Sequence, residues 1–445
     1  MARLMQSANV SDIIDERRLS PFQIRTVTLC GMVLFADGFD AQIIGYLAPS
    51  IAVGTGIPVS SLGPVFSASL VGLMIAAMGA GPIADRWGRK WPIVLSTMML
   101  AVFSFWTAHA TSFNQLLILR FLTGLGLGGA LPNCVSLASE YVPKRLMAVL
   151  VAILFCGLPV GGFVCGLMSS AMLPIWGWQS LFYVGAALPF AMCILLVLLL
   201  PESVQFLSIR GADPRRIAKL MSPIAPDLAD SHTGFSPASQ SDSSKGLPVK
   251  YLFKDGRALG TILLWIPNFM NLLLMYVIVN WLPALLTESG MSVSDGVTAT
   301  SIYSLGGIVG TLAEGFLIKV GGAYRILLAE FGLCSIFIAL IARISDSFGL
   351  VIVMAFSLGF MVTGAQAGLN VLAARFYPTS IRSTGVGWAL GIGRIGSIAG
   401  PLIAGMLLSA GWQPWRVLIV GAVPSLLALV SVLLGRRIQA KESLY

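Results

Sequence analysis

Charge is scarce in this chain: only 11% of its 445 residues are Asp, Glu, Lys or Arg, and two are histidine. Soluble domains carry about a quarter charged residues, so that class is excluded. The six cysteines (Cys30, Cys134, Cys156, Cys165, Cys193 and Cys334) fall inside apolar stretches without metal-ligand spacing. They read as small packing residues, with neither a disulfide framework nor a metal site. No Walker sequence occurs, which argues against an ATP-driven pump, and no His or Cys cluster suggests an integral-membrane enzyme. No cofactor is expected. No cleavable leader is expected, because the polar stretch through Arg25 runs straight into a full-length apolar segment.

Apolar residues are plentiful instead, at 56% of the chain. Windows of about 19 residues pick out twelve candidate spans. They lie near 26–50, 62–84, 91–110, 116–139, 148–172, 181–200, 258–284, 298–320, 325–343, 349–374, 383–408 and 414–435. The cations fall on one side of these spans. Arg17, Arg18 and Arg25 precede the first, Arg86, Arg89 and Lys90 follow the second, and Lys144 and Arg145 follow the fourth. The connections near 52–61, 111–115, 173–180 and 285–297 hold no Lys or Arg. The positive-inside rule therefore places both termini and the central loop in the cytoplasm. The net charge of +9 reports this topology and not a nucleic-acid partner. A bacterial inner membrane is the expected location, with the lipid bilayer as solvent and the chain working as a monomer.

The chain repeats itself. Gly177-Trp-Gln179 with Pro189 recurs as Gly411-Trp-Gln413 with Pro424, and Ala138–Pro143 recurs as Ala373–Pro378, at a near-constant offset. Between the copies, Asp230–Gly246 is rich in Ser, Asp and Gly and reads as a flexible linker. The expected organisation is a cytoplasmic segment 1–25, a six-helix half 26–200, a linker 201–257, a second six-helix half 258–435 and a tail 436–445. Two parallel six-helix halves related by an axis along the membrane normal make an all-α membrane protein of the major facilitator fold, with substrate held near mid-membrane between pseudo-symmetric halves. At the same offset Asp37 and Asp40 fall near Leu272 and Met275, and Asp85 falls on Val320. The proton chemistry is accordingly expected in the N-terminal half.

Asp37 and Asp40 stand three residues apart in the middle of the first apolar run. A mid-membrane carboxylate costs about 2.5 to 3.5 kcal/mol, and helical spacing puts both on nearly one face, so either they serve a polar cavity or they bind neighbouring helices.

Several motifs point the same way. Gly81-Pro-Ile-Ala-Asp85-Arg86-Trp-Gly88-Arg89-Lys90 resembles the major facilitator loop signature, and Arg120 followed by Gly124, Gly126, Gly128 and Gly129 resembles its fourth-span motif. Asp37-Gly-Phe-Asp40, Ala130-Leu-Pro-Asn133 with Glu140-Tyr-Val-Pro143, Asn280-Trp-Leu-Pro283, and Arg382-Ser-Thr-Gly385 through Gly393-Arg394 resemble the aromatic acid:proton symporters, importers of hydroxybenzoate-type compounds. That resemblance implies proton coupling through Asp37, Asp40, Arg120 and Glu140. It also implies a cytoplasmic gate of Asp85, Arg86, Arg89 and Arg382 that latches the outward-open state. The chain departs from the pattern at Lys319, where many superfamily members carry Asp, and this puts a symmetric C-terminal latch in doubt.

The residues themselves suit an aromatic carboxylate. Arg394 lies mid-span, where its planar fork can take a carboxylate bidentately unless a protein acid such as Glu314 or a first-span aspartate takes it. Phe39, Tyr46, Trp265, Phe269, Tyr276 and Trp281 can stack on a ring or belong to the core. Gln366, Asn370 and Asn280 can bond ring hydroxyls or join helices, and Asp40 can contribute to the same site. Arg120, near the end of its span, can also snorkel. The expected function is proton-coupled uptake of a small aromatic carboxylate by alternating access, with protons as the coupling ion. An importer of an aliphatic dicarboxylate or sugar, or a ligand sensor, is the alternative.

Overall fold

The computed structural model describes residues 8–9, 13–15, 17–225, 235–236, 249–254, 256–341 and 347–442. Most of the Ser-rich linker lies outside these residues. Its Phe235–Ser236 forms a two-residue parallel pair with Ala8–Asn9.

Among the described residues, all else of substance is helix. The first set comprises α1 (Pro21–Thr55), α2 (Gly63–Trp87), α3 (Lys90–Thr107), α4 (Phe113–Tyr141), α5 (Lys144–Trp176) and α6 (Gln179–Leu199). The second comprises α7 (Ala258–Glu288), α8 (Val293–Gly321), α9 (Ala323–Ile341), α10 (Phe348–Phe376), α11 (Arg382–Ser409) and α12 (Pro414–Ile438, interrupted at Gly421). Eleven of these are long and apolar enough to cross a membrane, and α3, with Lys90, Trp91 and Pro92 at its start, packs among them as the twelfth. At 35 residues, α1 outruns its expected span. Ser20 explains the early start: its hydroxyl accepts from Gln23 N–H at 3.4 Å while its own N–H donates to Gln23 Oε1 at 2.7 Å, ahead of Pro21 at the first position.

Small residues bring the helices together, and they do so alike in both sets. Gly124 on α4 abuts Ser69 on α2, and Gly306 on α8 abuts Phe356 on α10. Gly161 on α5 abuts Phe35 on α1, and Gly396 on α11 abuts Phe269 on α7. A Cβ at any of these positions would overlap the facing carbonyl, so the backbones approach only because none is there.

The two sets meet on the side whose loops lack Lys and Arg. There Ser67 donates to Ile398 O at 2.8 Å, the Phe66 and Trp281 rings meet edge-on at 5.1 Å, and Gly45 backs onto Val279 and Asn280. One hydrophobic core runs through both sets at this charge-poor side. On the basic side the core divides into two clusters, one around Leu34, Leu137 and Leu196 and the other around Leu327, Leu369 and Val432. The molecule is therefore sealed on its charge-poor side and parted on its basic side.

Candidate functional site

Asp40, mid-helix on α1, is 1% exposed and bonded to Arg120 of α4, Nη1 to Oδ2 3.1 Å. Ser104 of α3 donates to the other carboxylate oxygen. The Arg120 Nη2 reaches Thr107 Oγ1 and Thr123 Oγ1, both at 3.1 Å, and the guanidinium lies 5.1 Å over the Phe182 ring. Snorkelling is thereby ruled out: Arg120 is itself 1% exposed, because α1, α3 and α6 close over it. A charge buried this deeply persists only with such compensation. Asp37, one turn earlier, is 4% exposed and forms no hydrogen bond or ion pair with any described residue. The two aspartates expected to act alike thus differ: one is neutralised by protein, the other is not.

The second set supplies a polar patch. Arg394, near the middle of α11 and partly buried, donates to Tyr276 Oη of α7 at 3.3 Å. It forms no ion pair with any described residue, so neither Glu314 nor a first-span aspartate takes it. Asn271 donates to Gln366 Oε1 and to Val362 O, each at 3.0 Å, and Gln366 Nε2 donates to Asn268 Oδ1 at 3.3 Å. Asn268 and Asn271 were not singled out from sequence. Two amides at i and i+3 in an apolar span are a signal of the same kind as Asp37 and Asp40.

The remaining aromatics scatter. Phe39 is 1% exposed and faces Gly185 of α6, inside the first bundle. Trp281 is fully buried and donates to Pro401 O at 3.1 Å, and Trp265 stacks on Trp388 at 6.0 Å near the basic side. Helix packing occupies all three in this conformation. Tyr46 belongs to the seam, where its hydroxyl donates to Gln42 Oε1 at 2.9 Å and meets Ser304 of α8 at 3.4 Å. Asn280 bonds its own helix at Tyr276 O, 2.8 Å away. Phe269, packed on Gly396, and Asn370 are partly exposed, so of the stacking candidates Phe269 and Tyr276 remain on the side chains' accessible face with Arg394.

Glu140 stands apart from Asp37 and Asp40. At the basic end of α4 it accepts from Ser203 and lies 3.8 Å from Arg89 Nε, and Arg89 reaches Asp85 at 3.5 Å. Glu202 completes this knot by accepting the N–H groups of Arg89, Lys90 and Ser203 at 2.7, 3.1 and 2.8 Å. Gly88, at φ 87°, allows that turn. Asp85 is 73% exposed, Arg86 is exposed with its carbonyl taken by Arg210, and Arg382 reaches only Tyr377 O at 3.5 Å. Of the four residues assigned to a gate, Asp85, Arg86 and Arg89 therefore sit together on one set and Arg382 lies on the other, with no hydrogen bond or ion pair between them.

The Major Facilitator Superfamily family model matches residues 30–347 and again 264–444. The chain belongs to the Major Facilitator Superfamily. Within it, the chain is 38% identical over 96% of its length to the 4-hydroxybenzoate transporter of Pseudomonas putida, covering 96% of that protein. It is 36% identical to the gallate transporter of the same organism, over 96% of this chain and 94% of that one. The benzoate transport protein of Acinetobacter baylyi is 30% identical over 97% of this chain and 93% of its own. Among solved structures, a bacterial homologue of the human lysosomal transporter Spinster, inward-facing and unoccupied, superposes with a TM-score of 0.75 at 15% identity, over 94% of this chain and 98% of that one. At that identity the likeness concerns the superfamily fold alone.

Proposed function

We propose that this protein carries a small aromatic carboxylate of the hydroxybenzoate class, together with protons, into the bacterial cytoplasm by alternating access. The observation that carries the reading is Arg394: a guanidinium halfway along a membrane helix whose sole hydrogen-bond partner among the described residues is a neutral phenol. An unpaired cation at that depth is costly, and a planar monoanion relieves the cost. Full-length relatives that transport 4-hydroxybenzoate, gallate and benzoate share that planar carboxylate. Phe269 and Tyr276 offer ring faces, and the Asn268–Asn271–Gln366 amides offer partners for ring hydroxyls.

Asp37 is the proton carrier in this reading, since Asp40 is already held by Arg120. The basic side is cytoplasmic, so the conformation seen here, sealed on the charge-poor side, is inward-open. The Asp85–Arg89–Glu140 knot then lies at the open cytoplasmic mouth, free of α7–α12, as expected of a latch that engages only in the outward-open state.

Counterflow in proteoliposomes with labelled benzoates tests the assignment. Exchange of 4-hydroxybenzoate but not of succinate or glucose is expected. Exchange of succinate alone would transfer the assignment to an aliphatic dicarboxylate carrier.

A further inference from the structure

Glu314 on α8 and Glu330 on α9 form a carboxyl pair that neither the motifs nor the proposed route employs. They lie in the half where the sequence does not lead one to expect proton chemistry. Both are buried, at 1% and 5% exposure. Both carboxyl groups converge on the same space beside Gly364 of α10. Gly364 of α10 leaves them room: a Cβ there would stand 3.0 Å from Glu330 Oε1 and 3.6 Å from Glu314 Oε2. No hydrogen-bond donor from any other described residue reaches any of the four oxygens.

No counter-charge among the described residues approaches either. Lys319 and Arg325 are exposed at the basic ends of α8 and α9 and form no ion pair with the two glutamates. Cys334, one turn along α9, is the titratable neighbour of Glu330. The charged residues of α10 and α12 stand at helix ends, and α5 and α7 bring no charged residue to the middle of α8. Ser425 of α12 spends its hydroxyl on Phe331 O at 2.8 Å.

Carboxylates only accept hydrogen bonds, so two carboxyl groups in contact are bonded only if one carries a hydrogen. Two adjacent negative charges at this burial are disfavoured on Coulomb and desolvation grounds. We propose that Glu314 and Glu330 together bind one exchangeable proton, giving the C-terminal half a protonation site of its own. Binding takes a proton from water and closes an acid–carboxylate hydrogen bond between α8 and α9. Release returns the proton to water and requires the two helices to part enough to hydrate the charge.

Infrared difference spectroscopy on purified protein with carbon-13-labelled glutamate side chains tests this without any substrate, so its outcome is separate from that of the transport assignment. The expected result is a protonated-glutamic-acid carbonyl band at neutral pH that shifts in heavy water and disappears on alkalinisation. It should persist in Asp37→Asn and Glu140→Gln and vanish in Glu314→Gln/Glu330→Gln. Glu330→Gln alone should lower the protons released per molecule on alkalinisation by about one. Absence of the band from the unaltered protein, or its survival in the double variant, would overturn the proposal. So would its loss on adding sodium at fixed pH, which would assign a metal cation instead.

Discussion

Arg120 and Asp40 form an ion pair sealed from solvent, 3.1 Å apart with each side chain 1% exposed, between helices that share no loop. Removing one partner strands the other. Arg120→Gln or Asp40→Asn should each cost about 3 to 5 kcal/mol of stability, and the double variant markedly less than the sum. Thermal melting of the four proteins in detergent gives the coupling directly. Additive losses would mean that the pair contributes nothing beyond its separate side chains.

Asp37→Asn should behave differently, because Asp37 has no partner to strand. Melting should be close to that of the unaltered protein, substrate binding should survive, and acid-driven uptake should be lost. Uptake at the ordinary rate would remove Asp37 from the coupling mechanism.

Arg394→Ala should weaken binding of 4-hydroxybenzoate by at least tenfold, and Arg394→Lys should recover part of that loss, since an ammonium keeps the charge without the fork. Tyr276→Phe removes one neutral partner and should cost about 1 kcal/mol, several-fold in affinity. Titration calorimetry on purified protein orders the three. Unaltered affinity in Arg394→Ala would place the carboxylate elsewhere.

The helices were legible from sequence because bilayer-length apolar runs leave few alternatives, whereas the facing carbonyls that Gly124 and Gly396 admit appear only in the packing. The partners of Asp40 were not. Ser104 and Arg120 converge on it, and Thr107 and Thr123 hold Arg120 in turn, from helices whose relative rotation no linear pattern specifies. For the same reason the sequence left Phe39 and Trp281 open between ring stacking and core, and they pack between helices, while Glu140, grouped with the first-span aspartates by resemblance, lies at the basic end with Arg89. Glu314 was visible as a charge in an apolar run, but its meaning depends on Glu330, which only the packing of α9 brings to it.

The number of protons carried per anion follows from the same two sites. One proton with a monovalent carboxylate moves no net charge, so membrane voltage alone would contribute nothing. Two protons move one positive charge inward, worth about 2.3 kcal/mol per 100 mV. On the proposed reading, Asp37 and the Glu314–Glu330 pair each supply a place for one proton, whereas Asp40, held by Arg120, supplies none. Uptake into proteoliposomes at equal internal and external pH should therefore accelerate under an inside-negative potassium diffusion potential, and Glu330→Gln should flatten that response while leaving uptake driven by a pH gradient. A flat response in the unaltered protein would reject the two-proton count and leave one-proton symport through Asp37 intact.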